Sequence, residues 1–186
     1  MRKLIAAINM TLDGFCDHTA GSPDEEIHEH YNELLRNSGA LIYGRTTYQL
    51  MESFWPTLVK EPSGNKAMDD FAVLMDNIPK IVYSRTLNTV SWNNSILKHE
   101  IIKEEIEALK EQAGKDIGVG SPSMIVALGN LGLIDEYQIC ILPIILGNGL
   151  VLFKNIKERV DLELLKTKTF GNGSVIHYYQ TKQGQL

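Results

Sequence analysis

Apolar positions along the chain come in two spacings. Residues 4–10, 40–43, 80–83 and 116–119 are short runs, mostly apolar and without alternation, and such runs predict strands of a parallel sheet covered on both faces. Between them the period changes to that of a helix. Ile27, Tyr31, Leu34 and Leu35 form one predicted stripe; Met68, Ala72 and Met75, with Phe71 alongside, form another. Ile102, Ile106, Leu109 and Ala113 form a third, and Met124, Ile125, Ala127 and Leu128 a fourth. The punctuation residues supply the ends. Ser22-Pro23-Asp24-Glu25 predicts a capping box with Ser22 as N-cap, Pro23 at N1 and Glu25 at N3, and Asn37-Ser38-Gly39 stops that helix. Phe54-Trp55-Pro56 is expected to break the helix that follows Gly44, and Gly114 to close the helix spanning about 101–112. The polar stretch 60–66 is the candidate mobile segment. Residues 96–97 add a short strand, 137–146 form a β-rich run through Pro143, and 162–168 pair with 175–180 as a hairpin around Gly171-Asn172-Gly173.

This alternation of strands and helices over 186 residues fits one α/β domain with a substantial core. A formal charge of -5 without any lysine or arginine run argues against nucleic acid or an anionic membrane as the main partner, so an anionic small ligand needs a local basic patch. The opening apolar segment soon meets Asp13 and reads as a strand, not a signal peptide. Gly, Pro, Ser and Asn interrupt the uncharged runs at 117–134 and 137–153, so neither suits a membrane span, and a cytoplasmic location is expected. Cys16 and Cys140 suggest neither a disulfide framework nor a zinc site. His28 and His30, two apart on a helix, point to different sides and read as surface residues; no metal site is expected. The turn at Gly147-Asn148-Gly149 calls for glycines at positive φ, and His177 reads as a partly buried sheet residue.

Candidate chemistry lies where predicted strands end. After 116–119 comes Gly120-Ser121, with Ser121 able to cap a helix that has Pro122 at its first position; a phosphate could sit before Gly120, Ser121 and Ser123, or this is an ordinary strand-to-helix connection. Gly44-Arg45-Thr46-Thr47-Tyr48 repeats the junction with a guanidinium and two hydroxyls added, suited to a phosphate or simply a surface arginine over a capped helix. Ser84-Arg85-Thr86-Leu87 is a third exit, which an adenosine 2′-phosphate would use and which could otherwise be a solvated loop. Three such exits on one sheet edge favour the ligand. Asp13, in the loop after the first strand, is the nearest candidate proton donor, with Glu26 or His28 behind it, although an Asp before Gly commonly serves a turn.

The ordered set Gly44-Arg45-Thr46-Thr47-Tyr48, Ser84-Arg85-Thr86-Leu87, Asp116-Ile117 with Gly120-Ser121, 132–136, Pro143, and Leu146-Gly147-Asn148-Gly149 with Leu152-Phe153 resembles the dihydrofolate reductase-like superfamily. Within it the chain is most similar to stand-alone relatives of the reductase domain of the bifunctional riboflavin-biosynthesis deaminase/reductase. The resemblance implies a three-layer α/β fold: a mixed, mostly parallel sheet with helices on both faces and a C-terminal antiparallel hairpin. It implies NADPH along the strand ends. Gly44, Arg45 and Thr46 would then touch cofactor phosphate, Ser84, Arg85 and Thr86 the adenosine end, and Gly120, Ser121 and Ser123 the pyrophosphate. It also implies a homodimer through 137–146 and the final hairpin, and hydride transfer to a small polar, heterocyclic or sugar-linked substrate. Alternatives are a dihydrofolate reductase-type pterin reductase and a non-catalytic nucleotide-binding module. Three departures stand out: Gly120-Ser121 replaces a glycine pair, the first helix offers Glu25, Glu26, His28 and Glu29 with no pterin-binding acid fixed by motif, and a deaminase zinc set is missing.

Overall fold

The computed structural model describes residues 1–21 and 24–182. Among these, an eight-stranded, mostly parallel sheet ends in antiparallel C-terminal strands and is accompanied by five helices, the α/β class predicted. Two compact units emerge, whose described residues are 1–2 with 24–118, and 3–21 with 119–182.

The first unit contains α1 (Glu25–Arg36), β2 (Ser38–Gly44), α2 (Arg45–Lys60), α3 (Lys66–Asn77), β3 (Lys80–Tyr83), β4 (Ser95–Lys98) and α4 (Lys103–Glu111), and it runs into β5 (Asp116–Val119). Strand β1 (Leu4–Thr11) belongs to the second unit. Strands β2, β3 and β4 are parallel neighbours, and their buried residues Leu41, Ile42, Tyr43, Ile81 and Val82 explain the unbroken apolar runs. Leu35, Leu41, Tyr43, Tyr48, Met75, Ile78, Val82 and Trp92 form the core, with Met51, Trp55 and Phe71 against it.

Four expectations change here. Asp24 caps α1, accepting the Ile27 amide at 2.9 Å, while Ser22 and Pro23 of the predicted capping box lie outside the described residues. Helix α2 does not break at Phe54-Trp55-Pro56 but continues through Pro56 to Lys60. An interior proline costs about 3 kcal/mol. Burying one large apolar side chain gives about 1.5–3 kcal/mol, and α2 places Tyr48, Met51 and Trp55 on one face of the core. The stretch before α3 is tied down: the Asp69 carboxylate accepts Ser63 N at 2.8 Å, Ser63 Oγ at 2.7 Å and Gly64 N at 3.0 Å. His30 is buried, not on the surface, and His28 is half-buried with its ring edge-on to Phe71.

Two lysines are buried, and Lys80 is the more consequential. Its ammonium donates to Asp76 O (3.1 Å), Ile78 O (2.9 Å) and Asn93 O (2.9 Å) and lies 4.3 Å from the centre of the Trp92 ring. Burial pushes its pKa down to about 8, with the charge of Asp76 working the other way. Lys110 of α4 is 8% exposed. The glutamates of α4 face water.

The second unit contains β1, α5 (Pro122–Gly129), β6 (Glu136–Leu142), β7 (Leu162–Thr169) and β8 (Val175–Thr181). Strand β1 pairs in parallel with β6, from Ile5 opposite Glu136 to Thr11 opposite Leu142. Strand β6 stops at Leu142, one residue before Pro143, and does not run on to 146: proline has no N–H to give a ladder. The predicted hairpin is present, with β8 antiparallel to both β6 and β7. Cys16 and Cys140 are buried and are not joined in a disulfide. No helix among the described residues is long and apolar enough to cross a membrane.

Candidate functional site

In the first unit the ends of three parallel strands come level. Gly44 at the end of β2 is opposite Tyr83 at the end of β3, and Tyr83 is opposite Lys98 at the end of β4. Adjacent strands are about 4.8 Å apart, so the residues that follow, Arg45, Ser84 and His99, leave the sheet side by side along roughly 10 Å.

Arg45 is the first residue of the 16-residue helix α2, whose N-cap Gly44 offers no side-chain bond. Acidic residues usually occupy a first helical turn because they offset the positive end of the dipole. They do so in α1 (Glu25, Glu26), α3 (Asp69) and α4 (Glu104, Glu105), but neither α2 nor α5 has one. A cation at the N-terminus of α2 is unfavourable by itself and becomes favourable when an anion lies between it and the amides.

The loop after β3 is an ordered turn. Ser84 is buried, and its Oγ accepts the amides of Thr86 at 3.2 Å and Leu87 at 3.0 Å. This hydroxyl, expected to contact a ligand, is already occupied in folding its own loop. Arg85 and Thr86 stand exposed at the tip. The chain has five arginines. Arg2 donates to Lys115 O, Arg36 pairs with Glu29 and Asp70, and Arg159 pairs with Asp161. Arg45 and Arg85 have no protein partner among the described residues, and both are exposed. The Lys98 ammonium is committed to Glu105. His99, whose Nδ1 is 2.9 Å from Ser84 O, was not singled out from sequence; a basic pair directly after Ile96-Leu97 was the signal that could have marked it.

In the second unit Ser121 is the N-cap residue of α5, without a side-chain cap bond. Its Oγ lies 3.4 Å from Ser123 Oγ; Ser121 is buried and Ser123 exposed. Gly120 is half-buried at the end of β5.

Asp13 behaves differently from a proton donor. Its carboxylate accepts Thr11 Oγ1 at 2.6 Å, both of its oxygens lie 3.1 Å from Leu146 N, and Gly147 N donates at 2.7 Å. The Thr11 hydroxyl is the main cause that holds its pKa down at about 2; desolvation works the other way, and the Gly147 and Leu146 amides add to the lowering. A group ionised so firmly has no proton to give near pH 7. Asp17 completes the clamp, accepting Leu150 N at 2.6 Å, and Gly147 and Gly149 take the positive φ values of 77° and 153° that the turn requires. Glu26 is exposed on α1, while His28 binds Asp24 O through Nδ1 at 3.0 Å. Two residues apart on a helix, they project to different sides and cannot serve one substrate atom together.

The fold is that of dihydrofolate reductase. The enzyme of Enterococcus faecalis, complexed with NADP(H), matches with a TM-score of 0.65 at 15% identity, covering 97% of each chain. A proposed riboflavin biosynthesis protein from Shewanella sp. PV-4 matches with a TM-score of 0.76 at 20% identity over 97% of this chain and 99% of its own. Residues 2–176 match the RibD C-terminal domain, and the protein belongs to that family. The uncharacterized protein YyaP of Bacillus subtilis (strain 168) is 34% identical over 178 residues, 94% of this chain and 92% of YyaP.

Proposed function

We propose that the protein is an NADPH-dependent reductase that delivers hydride to a small polar, heterocyclic or sugar-linked substrate, as 5-amino-6-(5-phosphoribosylamino)uracil reductase does. One observation carries this reading: Arg45 and Arg85, the two arginines without a protein partner among the described residues, follow adjacent strand ends in a chain whose net charge is -5. A doubly charged phosphate suits planar guanidinium donors, and a 2′-phosphate distinguishes NADPH from NADH. The family match and the NADP(H) complex of the fold relative support the same cofactor.

In this reading Arg85 and Thr86 take the adenosine 2′-phosphate, with Ser84 shaping their turn, and Gly44, Arg45 and Thr46 take phosphate at the start of α2. Gly120, Ser121 and Ser123 offer the start of α5 to phosphate as well. Bound NADPH supplies the hydride; the chain's task is to orient it and provide a proton. With Asp13 held ionised, His28 remains the proposed donor, and Glu26, exposed on α1, would serve only if bound substrate buried it. A pterin reductase would want a buried carboxylate on the first helix, and Glu25, Glu26 and Glu29 are all exposed.

We propose further that the protein is a homodimer. Leu12, Ile145, Leu146, Leu150 and Val151 are exposed on two loops joined by Leu12 N to Ile144 O, Cys16 N to Leu150 O and the Phe15–Val151 bridge, and Leu164 and Leu165 are exposed on β7. A second copy would cover such apolar surface.

The enzymatic claim is tested by following NADPH oxidation at 340 nm with a panel of aminouracil phosphoribosides and pterins. Turnover with an aminouracil, at least tenfold faster with NADPH than with NADH, is expected. NADPH binding without turnover on any of them would leave a binding module in place of an enzyme.

A further inference from the structure

The end of β4 grips the loop that carries Arg85. Lys98 O accepts the Ser84 amide at 2.9 Å, and His99 Nδ1 lies 2.9 Å from Ser84 O. A carbonyl oxygen only accepts, so Nδ1 carries the proton and His99 is the donor. The backbone N–H and C=O of Ser84 are thus both held by two consecutive residues of the neighbouring strand end. With its peptide groups fixed, Ser84 turns Oγ onto the amides of Thr86 and Leu87, and this bond pair closes the turn with Arg85 at its tip. The Lys98 side chain is engaged by Glu105, which leaves the imidazole as the side chain of this pair that acts on the turn.

We propose that His99 is a positioning residue: by holding the Ser84 carbonyl it orders the turn 84–87 before ligand arrives and so sets the preference for a nucleotide bearing a 2′-phosphate. The proposal rests on the cofactor assignment above and adds the residue that gives the Arg85 loop its shape. Ordering a loop in advance removes an entropic cost from binding, and that gain reaches only ligands that use the loop. NADPH uses Arg85 and Thr86; NADH, without the 2′-phosphate, does not. Because His99 is itself exposed, replacing it opens no cavity in the core.

The test compares wild type, His99→Ala, His99→Asn and Arg85→Ala by calorimetric titration with NADPH and with NADH, alongside amide exchange at Thr86 and Leu87 without ligand. Loss of one neutral hydrogen bond corresponds to about a fivefold weaker affinity. H99A should therefore bind NADPH about fivefold more weakly, leave NADH within twofold, and exchange faster at Thr86 and Leu87. H99N, whose amide can donate to the same carbonyl, should restore both. If R85A weakens NADPH binding while H99A does not, the positioning role is overturned and the cofactor assignment stands. Equal weakening of NADPH and NADH by H99A also overturns it, as a general disturbance of the fold. A wild type indifferent to the 2′-phosphate, with R85A unchanged, overturns both.

Discussion

Replacing Lys80 by Met removes the charge from a site where three carbonyl groups have organised themselves around it. The ammonium donates to Asp76 O, Ile78 O and Asn93 O at 2.9–3.1 Å and faces the Trp92 ring. Hydrogen bonds to a charged group contribute about 1.5–3 kcal/mol each, and desolvating an ammonium costs several kcal/mol, so the intact arrangement is nearly balanced. The variant is not balanced. Methionine packs in a similar volume but leaves buried carbonyls without the donor, at about 1–3 kcal/mol for each that water cannot reach. A net loss of about 2–4 kcal/mol follows, because Met regains part of it by burial against Trp92. With a urea m-value of about 2 kcal/mol per molar, the midpoint should fall by about 1–2 M, read by Trp92 fluorescence and far-UV circular dichroism. The pH dependence carries its own sign. Folded Lys80 titrates at about 8 and its ordinary value is 10.5, so between these limits the unfolded chain holds the proton and the folded one does not. Stability of the wild type relative to K80M should rise with pH across that window. A midpoint shift below about 0.25 M at pH 7, or a difference that shrinks from pH 8 to 10, would refute the reasoning.

Asp13→Asn should leave the fold intact but accelerate amide exchange at Leu146 and Gly147, whereas the wild-type clamp should persist until the pH approaches the carboxyl's value of about 2 and be lost below it. Unchanged exchange in D13N would return Asp13 to the list of proton donors. Gly149→Ala should release the same turn, since φ is +153° there and the added methyl would run into the Asp17 carboxylate; the thermal midpoint should drop by several degrees, and no change would count against the clamp. Leu164→Glu with Leu165→Glu should convert a dimer to a monomer by light scattering. A monomeric wild type would end the dimer proposal.

The strand ends were readable because each buried run stops on a small or polar residue: Gly44, Ser84 and Gly120 break apolar stretches too short to be anything but strands. Other features depended on partners distant in sequence. Pro56 looked like a helix stop because proline's local cost is visible in the sequence, whereas the burial of Tyr48 and Trp55 against Phe71 and Trp92 is not. The partners of the Lys80 ammonium were not legible because nothing local announces the carbonyl of Asn93, thirteen residues on. His30 was misjudged for the same reason. Asp13 was legible as both a turn residue and an acid, and its bonds to Leu146 and Gly147, more than 130 residues away, favour the turn. The β4 exit was missed because Lys98 and His99 gain meaning only through their pairing with Tyr83 and Ser84.

The most direct measurement uses only the part of the cofactor that the first unit is proposed to recognise. Calorimetric titration of the wild type with 2′,5′-ADP and with 5′-AMP should show clear preference for the former. Arg85→Ala should weaken it about 10- to 100-fold, the equivalent of one charge-assisted bond of about 1.5–3 kcal/mol, while leaving 5′-AMP unaffected. Equal binding of the two nucleotides by the wild type, or an Arg85→Ala variant that keeps full affinity for 2′,5′-ADP, would contradict the account.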